Sequence, residues 1–393
     1  MPAQYTDEEM LAAREQHGSN NKAAAALGLA RRTFDQRMKR INKTSVVPEP
    51  LDPAEEHALK RQNAELKRSL DAAYAQISGF QSIRGELLKL GPAKPARFSV
   101  PASVGGKSRQ TSSLMISDVH GGEYVSLAEM DGLNSYDVQI MQRRLFKTFD
   151  AYADLSKRWG GNSLEALVVK LGGDMVSGAL HEDHKRTDLL RPIPAAKLVG
   201  ETIASGLNYL SDTLGLPIKV YSVVGNHGRT TGKPESKGHV SDNLDTLASY
   251  FAEAAVKNKE AVRFFYSDSI DAQFSIYGRH QLLTHGDRMG SKGGMGAIGP
   301  IAPIARGHKR LKADYVARGI KIDTVYSAHF HMACQTEDGF GNGSLIGPSQ
   351  YGRDFRFSAK PCSQRMAIHH NHRGIVLAPE IFAGSPEEGS IYA

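Results

Sequence analysis

Five short clusters hold the residues with chemical reach: Asp118-Val119-His120-Gly121, Gly173-Asp174, Gly225-Asn226-His227, His285-Gly286 and His329-Phe330-His331. Their donors are carboxylates, imidazoles and one amide oxygen, with no thiolate among them. That set describes a mixed nitrogen and oxygen site for an ion such as manganese, iron or zinc, not a cysteine-based structural zinc. Asp118, His120, Asp174, Asn226, His227, His285, His329 and His331 are too many for one ion of about four to six ligands. Two ions sharing one carboxylate would use them, and such a pair activates a water while neutralising phosphate charge.

Each cluster closes a short apolar or β-branched run: SSLMIS, LEALVVKLG, IKVYSVV, HQLLT and DTVYSA. Helical stretches separate the runs, which is α/β texture, and strand ends are where such folds gather residues distant in sequence. The 393 residues predict two or three folded units. With 40% hydrophobic and 23% charged residues the composition is that of a soluble globular chain. The opening MPAQYTDEEM lacks the basic start and apolar run of a signal peptide, and no segment reaches the roughly 18 apolar residues of a membrane span. A cytoplasmic protein with no membrane association is expected. Cys334 and Cys362 form no CxxC pair and predict no disulfide framework.

The N-terminal unit, 1–45, has a different texture. Thr6-Asp7-Glu8-Glu9 reads as a capping box opening a helix that Gly18-Ser19-Asn20 ends. A second helix is predicted over Lys22 to Leu27, a turn at Gly28, and a third helix over Ala30 to Ile41 held by Leu29, Phe34 and Met38. From Ala30 to Lys43, six basic residues against Asp35 give +5, within a net charge of +7 for the chain. The stretch GSNNKAAAALGLARRTFDQRMKRI resembles the helix-turn-helix of Fis-type and other homeodomain-like DNA-binding modules. The resemblance implies a third helix in the major groove and nominates Arg31, Arg32, Gln36, Arg37, Lys39 and Arg40 for DNA contact. Residues 46–111 read as linker, Pro-rich at 44–54 and Pro/Gly/Ser-rich after Leu90. Between these, residues 54–90 predict a dimerising helix with a seam of Leu59, Asn63, Leu66, Leu70, Ala73, Ile77 and Phe80, and with Glu55 pairing to Lys60 of a second copy. A homodimer is expected.

The motif order DxH, GD, GNH, H and HxH resembles the calcineurin-like metallophosphoesterase superfamily over residues 112–380, leaving 381–393 as a tail. The resemblance implies an αββα sandwich of two mixed sheets, so the expected fold is α/β with an N-terminal all-α helix-turn-helix and a coiled-coil-like connecting helix. It implies that Asp118, His120 and His331 hold one divalent ion, that Asn226, His285 and His329 hold a second, and that Asp174 bridges them. Manganese is the expected metal, with iron, zinc, magnesium or nickel as alternatives. His227 is implied as the general acid for the leaving oxygen, or as a stabiliser of the transition state. The acid that commonly follows the GNH motif is Gly228 here, and Ser177 stands where the family has the Asp that orients the histidine. Another carboxylate is expected to serve.

His184 and Arg229 are further candidates for substrate contact. The glycine-rich segment from Arg288 into a basic stretch ending near Lys321 is a candidate lid, and His369, His370 and His372 are expected at the surface. The expected activity is a dinuclear-metal phosphodiesterase, a DNA-directed nuclease similar in chemistry to SbcD-type repair exonucleases. The alternatives are a phosphatase or cyclic-nucleotide phosphodiesterase tethered to DNA, and a DNA-binding regulator with a vestigial metal site. No GxxxxGK[ST] motif is present, so any ATPase partner would be a separate chain.

Overall fold

The computed structural model describes residues 5–44, 52, 54, 57–71, 108–178, 182–289 and 300–393. The rest of the predicted seam from Ala73, both linkers in large part, His181 and the glycines of 290–299 lie outside the described residues. The chain divides into two compact units, Met1–Lys89 and Leu90–Ala393.

Three short helices pack together near the start of the first unit. α1 (Asp7–His17) opens on the predicted capping box, with Thr6 Oγ1 accepting from the Glu9 backbone and the Glu9 carboxylate accepting from Thr6 N. Gly18 ends it in the left-handed region, φ 71°. α2 (Asn20–Ala26) is capped by Ser19, and α3 (Arg31–Thr44) follows the turn at Gly28. Met10, Ala13, Ala23, Ala24, Phe34, Met38 and Ile41 form their shared core, so the alanines do allow the helices to approach closely. A fourth helix, α4, covers 57–71; its described residues are all exposed, including Leu59, Leu66 and Leu70.

The second unit stacks two mixed sheets. The larger runs β11 (Gly374–Leu377), β10 (Ser363–His370), β1 (Gln110–Ile116), β2 (Leu164–Leu171), β3 (Ile218–Ser222) and β4 (Val262–Tyr266), with β12 (Glu380–Phe382) also on β10. β1 to β4 are parallel, and β10 joins β1 antiparallel. The smaller runs β5 (Asp271–Ile276), β6 (Arg279–Thr284), β7 (Thr324–Ser327), β9 (Gly339–Gly341) and β8 (Cys334–Gln335). β6, β7 and β9 are parallel. Met115, Val168, Tyr221, Val223 and Phe265 from the first sheet meet Phe274, Ile276, Leu283, Tyr326 and Phe340 from the second in one apolar layer. Strands buried on both faces must be apolar almost throughout, which is why β2 reads as a continuous run.

Helices cover the outer faces. α5 (Val138–Gly160), α7 (Pro192–Leu214) and α8 (Leu244–Ala255) lie against the first sheet; α9 (Ile301–Ala317) buries Tyr315 against Leu282 and Val325 of the second. Cys334 and Cys362 are free and buried. Among the described residues no helix is long and apolar enough to cross a membrane.

His369 departs from expectation. It sits on β10 and is buried, with Nε2 3.0 Å from Ser113 Oγ; Lys170 Nζ donates to the same hydroxyl at 2.9 Å. The strand alternation of β10 turns this histidine inward while His370 and His372 remain partly or fully exposed.

Residues after β12 fold back onto α5 around a buried ion pair. Arg144 Nε donates to Glu388 Oε2 at 2.8 Å, and its other nitrogens bind the carbonyls of Leu345, Ile346 and Ser135 and the side chain of Asn134. Leu345 N in turn donates to the Asp118 carbonyl at 3.1 Å, so this pair steadies the backbone of a candidate ligand. Glu388→Ala strands the guanidinium without its counter-charge, which costs about 3–5 kcal/mol. Equilibrium urea unfolding should show that loss, and a change below about 1 kcal/mol would mean that the pair is solvated.

Candidate metal centre

Every candidate ligand stands just past the C-terminal end of a strand: Asp118 and His120 after β1, Asp174 after β2, Asn226 and His227 after β3, His285 after β6, His329 and His331 after β7. Both sheets therefore deliver ligands to one end of the sandwich. Of eight non-glycine residues with positive φ among those described, five are Asp118, His120, Asp174, His329 and His331, at φ 49–69°. The left-handed region costs a side-chain-bearing residue about 1–2 kcal/mol. Such strain clusters where surrounding structure imposes it for a functional geometry.

The geometry brings the predicted ligands together. Three overlapping groups have their ligand atoms within 4.8 Å of one another: Asp118, His120 and His331; His120, Asp174 and His227; Asp174, His285 and His329. Asn226 joins the third, its Oδ1 3.2 Å from His285 Nε2. His120 is common to the first two groups and Asp174 to the last two.

The electrostatics ask for cations. Burial opposes ionisation of Asp118 and Asp174, yet His331 beside the first and His285 beside the second hold both below the ordinary carboxylate range. His285 gives its Nδ1 proton to the Gly172 carbonyl at 2.9 Å, which turns Nε2 toward Asp174 Oδ2 at 3.0 Å. Against the pull of burial, the Asp174 carboxylate lifts this imidazole to about 10. His120 is lifted to about 9, again against burial, by Glu123, whose Oε2 lies 3.2 Å from Nδ1. Nε2 of His120 is buried with no hydrogen-bond partner. An orphaned imidazole nitrogen beside ionised carboxylates fits a divalent ion, with Glu123 orienting the ring from behind.

His227 differs from its neighbours. Its Nδ1 lies 2.9 Å from the Ser177 carbonyl, which can only accept, so the proton is on Nδ1 and Nε2 is left for chemistry. Burial pushes this imidazole down to about 4 and keeps it neutral. The orienting group is thus a backbone carbonyl, where another carboxylate was expected.

Asp245, at the start of α8, escaped the sequence reading. Its two oxygens accept from Asp174 N at 2.8 Å, Met175 N at 2.9 Å and Gly225 N at 2.8 Å, tying two ligand loops together. A Cβ at Gly225 would run into the Asp174 carboxylate, so only glycine permits that approach. A Cβ at Gly228 would point into Asn243 and Asp245. A side chain at 228 would thus enter the space that Asn243 and Asp245 occupy. Glycine at 228 was the one available signal. Asp188 was missed as well: half-buried beside Ser177, it is raised to about 7 by desolvation of its carboxyl and by the nearby charge of Glu123.

The outer candidates sit as follows. The His184 ring stacks on His227 with centroids 5.5 Å apart. Arg229 Nε donates to the Thr231 carbonyl within its own loop. On α3, Arg31, Arg32, Gln36 and Lys39 line one shallow exposed concavity, and Arg40 is exposed beside them. Arg37 instead turns inward to the Tyr5 carbonyl, at 2.6 Å, and to Asp7.

No family model matches the sequence, and no curated protein matches it significantly. Among solved structures the chain is similar to a dimetal phosphatase from Danio rerio, with 12% identity over 70% of this chain and 99% of that one and a TM-score of 0.30. That likeness is too slight to bear on the site.

Two measurements test the centre. In the cation-free protein His120 and His285 carry protons at neutral pH, so binding two ions should release about two protons, read by calorimetry in buffers of different ionisation enthalpy. Protons compete below about pH 9 and 10, so affinity for each ion should fall about tenfold for each unit the pH drops from there toward neutral. Asp245→Asn sets an amide N–H₂ against a backbone N–H and should weaken metal binding about 10- to 100-fold. Unchanged affinity would reduce Asp245 to a helix-cap residue.

Proposed function

We propose that the chain is a dinuclear-metal phosphoesterase that hydrolyses phosphodiester bonds, with DNA as its substrate. The observation that carries the chemistry is the set of three ligand groups overlapping at His120 and Asp174. Two divalent ions, manganese foremost, would supply charge neutralisation on phosphate and a nucleophile at neutral pH. Asp118, His120 and His331 would hold one, Asn226, His285 and His329 the other, and Asp174 both.

The protein's own groups then order the reaction. Asp245 holds the backbone of Asp174, and the Ser117 hydroxyl donates to Asp118 Oδ2 at 2.6 Å. His227, ring locked by Ser177, meets the substrate neutral. An arriving phosphate anion raises its proton affinity, so Nε2 takes up a proton in the complex and passes it to the leaving oxygen. His184, stacked on His227, is placed to confine the leaving group. DNA as substrate is supported by the +5 stretch on and around α3 and by the exposed residues Arg31, Arg32, Gln36, Lys39 and Arg40. A homodimer through the apolar seam of α4 would present two such faces.

With manganese added, the purified protein should cleave both a labelled DNA duplex with single-stranded ends and bis-p-nitrophenyl phosphate. His227→Ala should lower kcat about 10²- to 10⁴-fold on both while metal binding persists. Turnover of the small diester with DNA left intact would make the substrate a small phosphoester. Metal binding without turnover of either would sink the phosphoesterase reading.

A further inference from the structure

Three aromatic side chains cluster on the surface after β9. Tyr351, on α10 (Gln350–Asp354), and Phe355 and Phe357, just beyond it, are 57%, 62% and 45% exposed. Their ring centroids lie 4.7 Å apart for Tyr351 and Phe355, 6.2 Å for Tyr351 and Phe357, and 6.1 Å for the two phenylalanines. Grouped exposed rings are uncommon on a surface without a partner.

The fold builds this cluster deliberately. Phe357 N donates to the Gly352 carbonyl at 2.8 Å and Arg356 N to the Arg353 carbonyl at 3.0 Å, the paired bonds of a helix-ending Schellman turn. That turn needs a left-handed residue, ordinarily glycine, and here Arg356 takes it at φ 57°. Arg356 is exposed and stands between the two phenylalanines in sequence. Lys360 is a second exposed cation, and Arg353 is occupied in anchoring α10 through Asp131 and the Glu129 carbonyl. Gln350 Nε2 adds a bond to Glu129 Oε2 at 2.9 Å.

The cluster is tied to the metal centre. Leu345 N and Ile346 N both donate to the Asp118 carbonyl, and Tyr351 follows Ile346 by 351 − 346 = 5 residues. Five residues reach at most about 18 Å.

We propose that Tyr351, Phe355 and Phe357 form a stacking platform for the bases of a single-stranded nucleic acid, with Arg356 and Lys360 on its phosphates. Aromatic faces interleaved with cations are what a single strand requires, because every base offers a π-face and every linkage a negative charge. Aromatic rings and arginine also suit a protein partner, but lysine is depleted at such interfaces, and Lys360 stands beside the rings in sequence. The proposal rests on the nuclease reading only for what happens next: bases held here would feed a neighbouring phosphate toward Asp118.

The test uses the full chain without added metal, so that binding is read independently of hydrolysis. A single-stranded oligonucleotide carrying 5-iododeoxyuridine is crosslinked by light, and the modified residues are mapped by mass spectrometry. Crosslinks at Tyr351, Phe355 or Phe357 are expected; crosslinks confined to the N-terminal unit overturn the proposal. Phe355→Ala/Phe357→Ala should weaken binding of the same strand about tenfold or more, the loss of one stacked base. Arg356→Gly, which relieves the strained turn, should keep or raise the thermal midpoint while flattening the salt dependence by about 0.7 in log–log slope.

With manganese, the double variant should raise KM for the oligonucleotide and leave bis-p-nitrophenyl phosphate untouched. If the wild type hydrolyses neither substrate, the nuclease reading fails while crosslinking still decides the platform. Unchanged oligonucleotide binding in the double variant, or a shift in oligomeric state in place of a binding defect, would overturn the proposal and make the patch a contact between proteins.

Discussion

The carboxylate of Asp174 is where the two sheets, four loops and both ligand groups converge. Oδ1 accepts from His227 N at 2.7 Å and Oδ2 faces His285 Nε2, while its backbone carbonyl accepts from Val119 N and His120 N. Its own N–H goes to Asp245. Ligands from β1, β2, β3 and β6 are thus registered through one residue. An uncompensated charge at this depth would be expensive, and the histidines around it offset that cost only when they carry protons or hold cations. Positive charge around Asp174 is therefore required by the packing, carried by protonated imidazoles or by bound cations.

The backbone strain follows from the same constraint. Turning five donors inward from the ends of straight strands demands left-handed φ at Asp118, His120, Asp174, His329 and His331. At about 1–2 kcal/mol each, that strain is a large share of a domain's net stability. The sandwich holds it with the buried layer between the sheets and with tethers such as Arg144, whose five nitrogen contacts fix Leu345 and Ile346 against Asp118. His308 plays a similar part on the second sheet. Its Nε2 lies 2.7 Å from Ser327 Oγ, two residues before His329.

What was legible in the sequence was what local rules encode. Thr6 and Glu9 satisfy each other within four residues, and each ligand cluster follows a strand whose apolar run is visible in the chain, so both could be placed without tertiary knowledge. Asp245 could not. It acts through backbone N–H groups of loops 20 and 71 residues away, and no side-chain motif records such a bond. Glu123, by contrast, stands only three residues after His120 and lay within local reach. His369 was misread because three histidines near a chain end resemble a solvated run, whereas the pleat of β10 assigns one of them to the interior beside Ser113. The α4 seam shows the opposite limit: its leucines have the spacing of an interface, and in a single chain they are exposed.

The departure at Ser177 changes more than a hydrogen bond. Of the five histidines at the centre, three differ by what lies behind each ring. His285 and His120 face carboxylates and are driven up to about 10 and 9; His227 faces a carbonyl and burial drives it down to about 4. An Asp at 177 would put a negative charge behind His227 and store a proton there before substrate arrives. A carbonyl orients the ring equally well without that charge. The proton must then come with, or because of, the phosphate, which makes protonation of Nε2 a consequence of substrate binding. The resting site consequently keeps positive charge on His120 and His285 and none on His227.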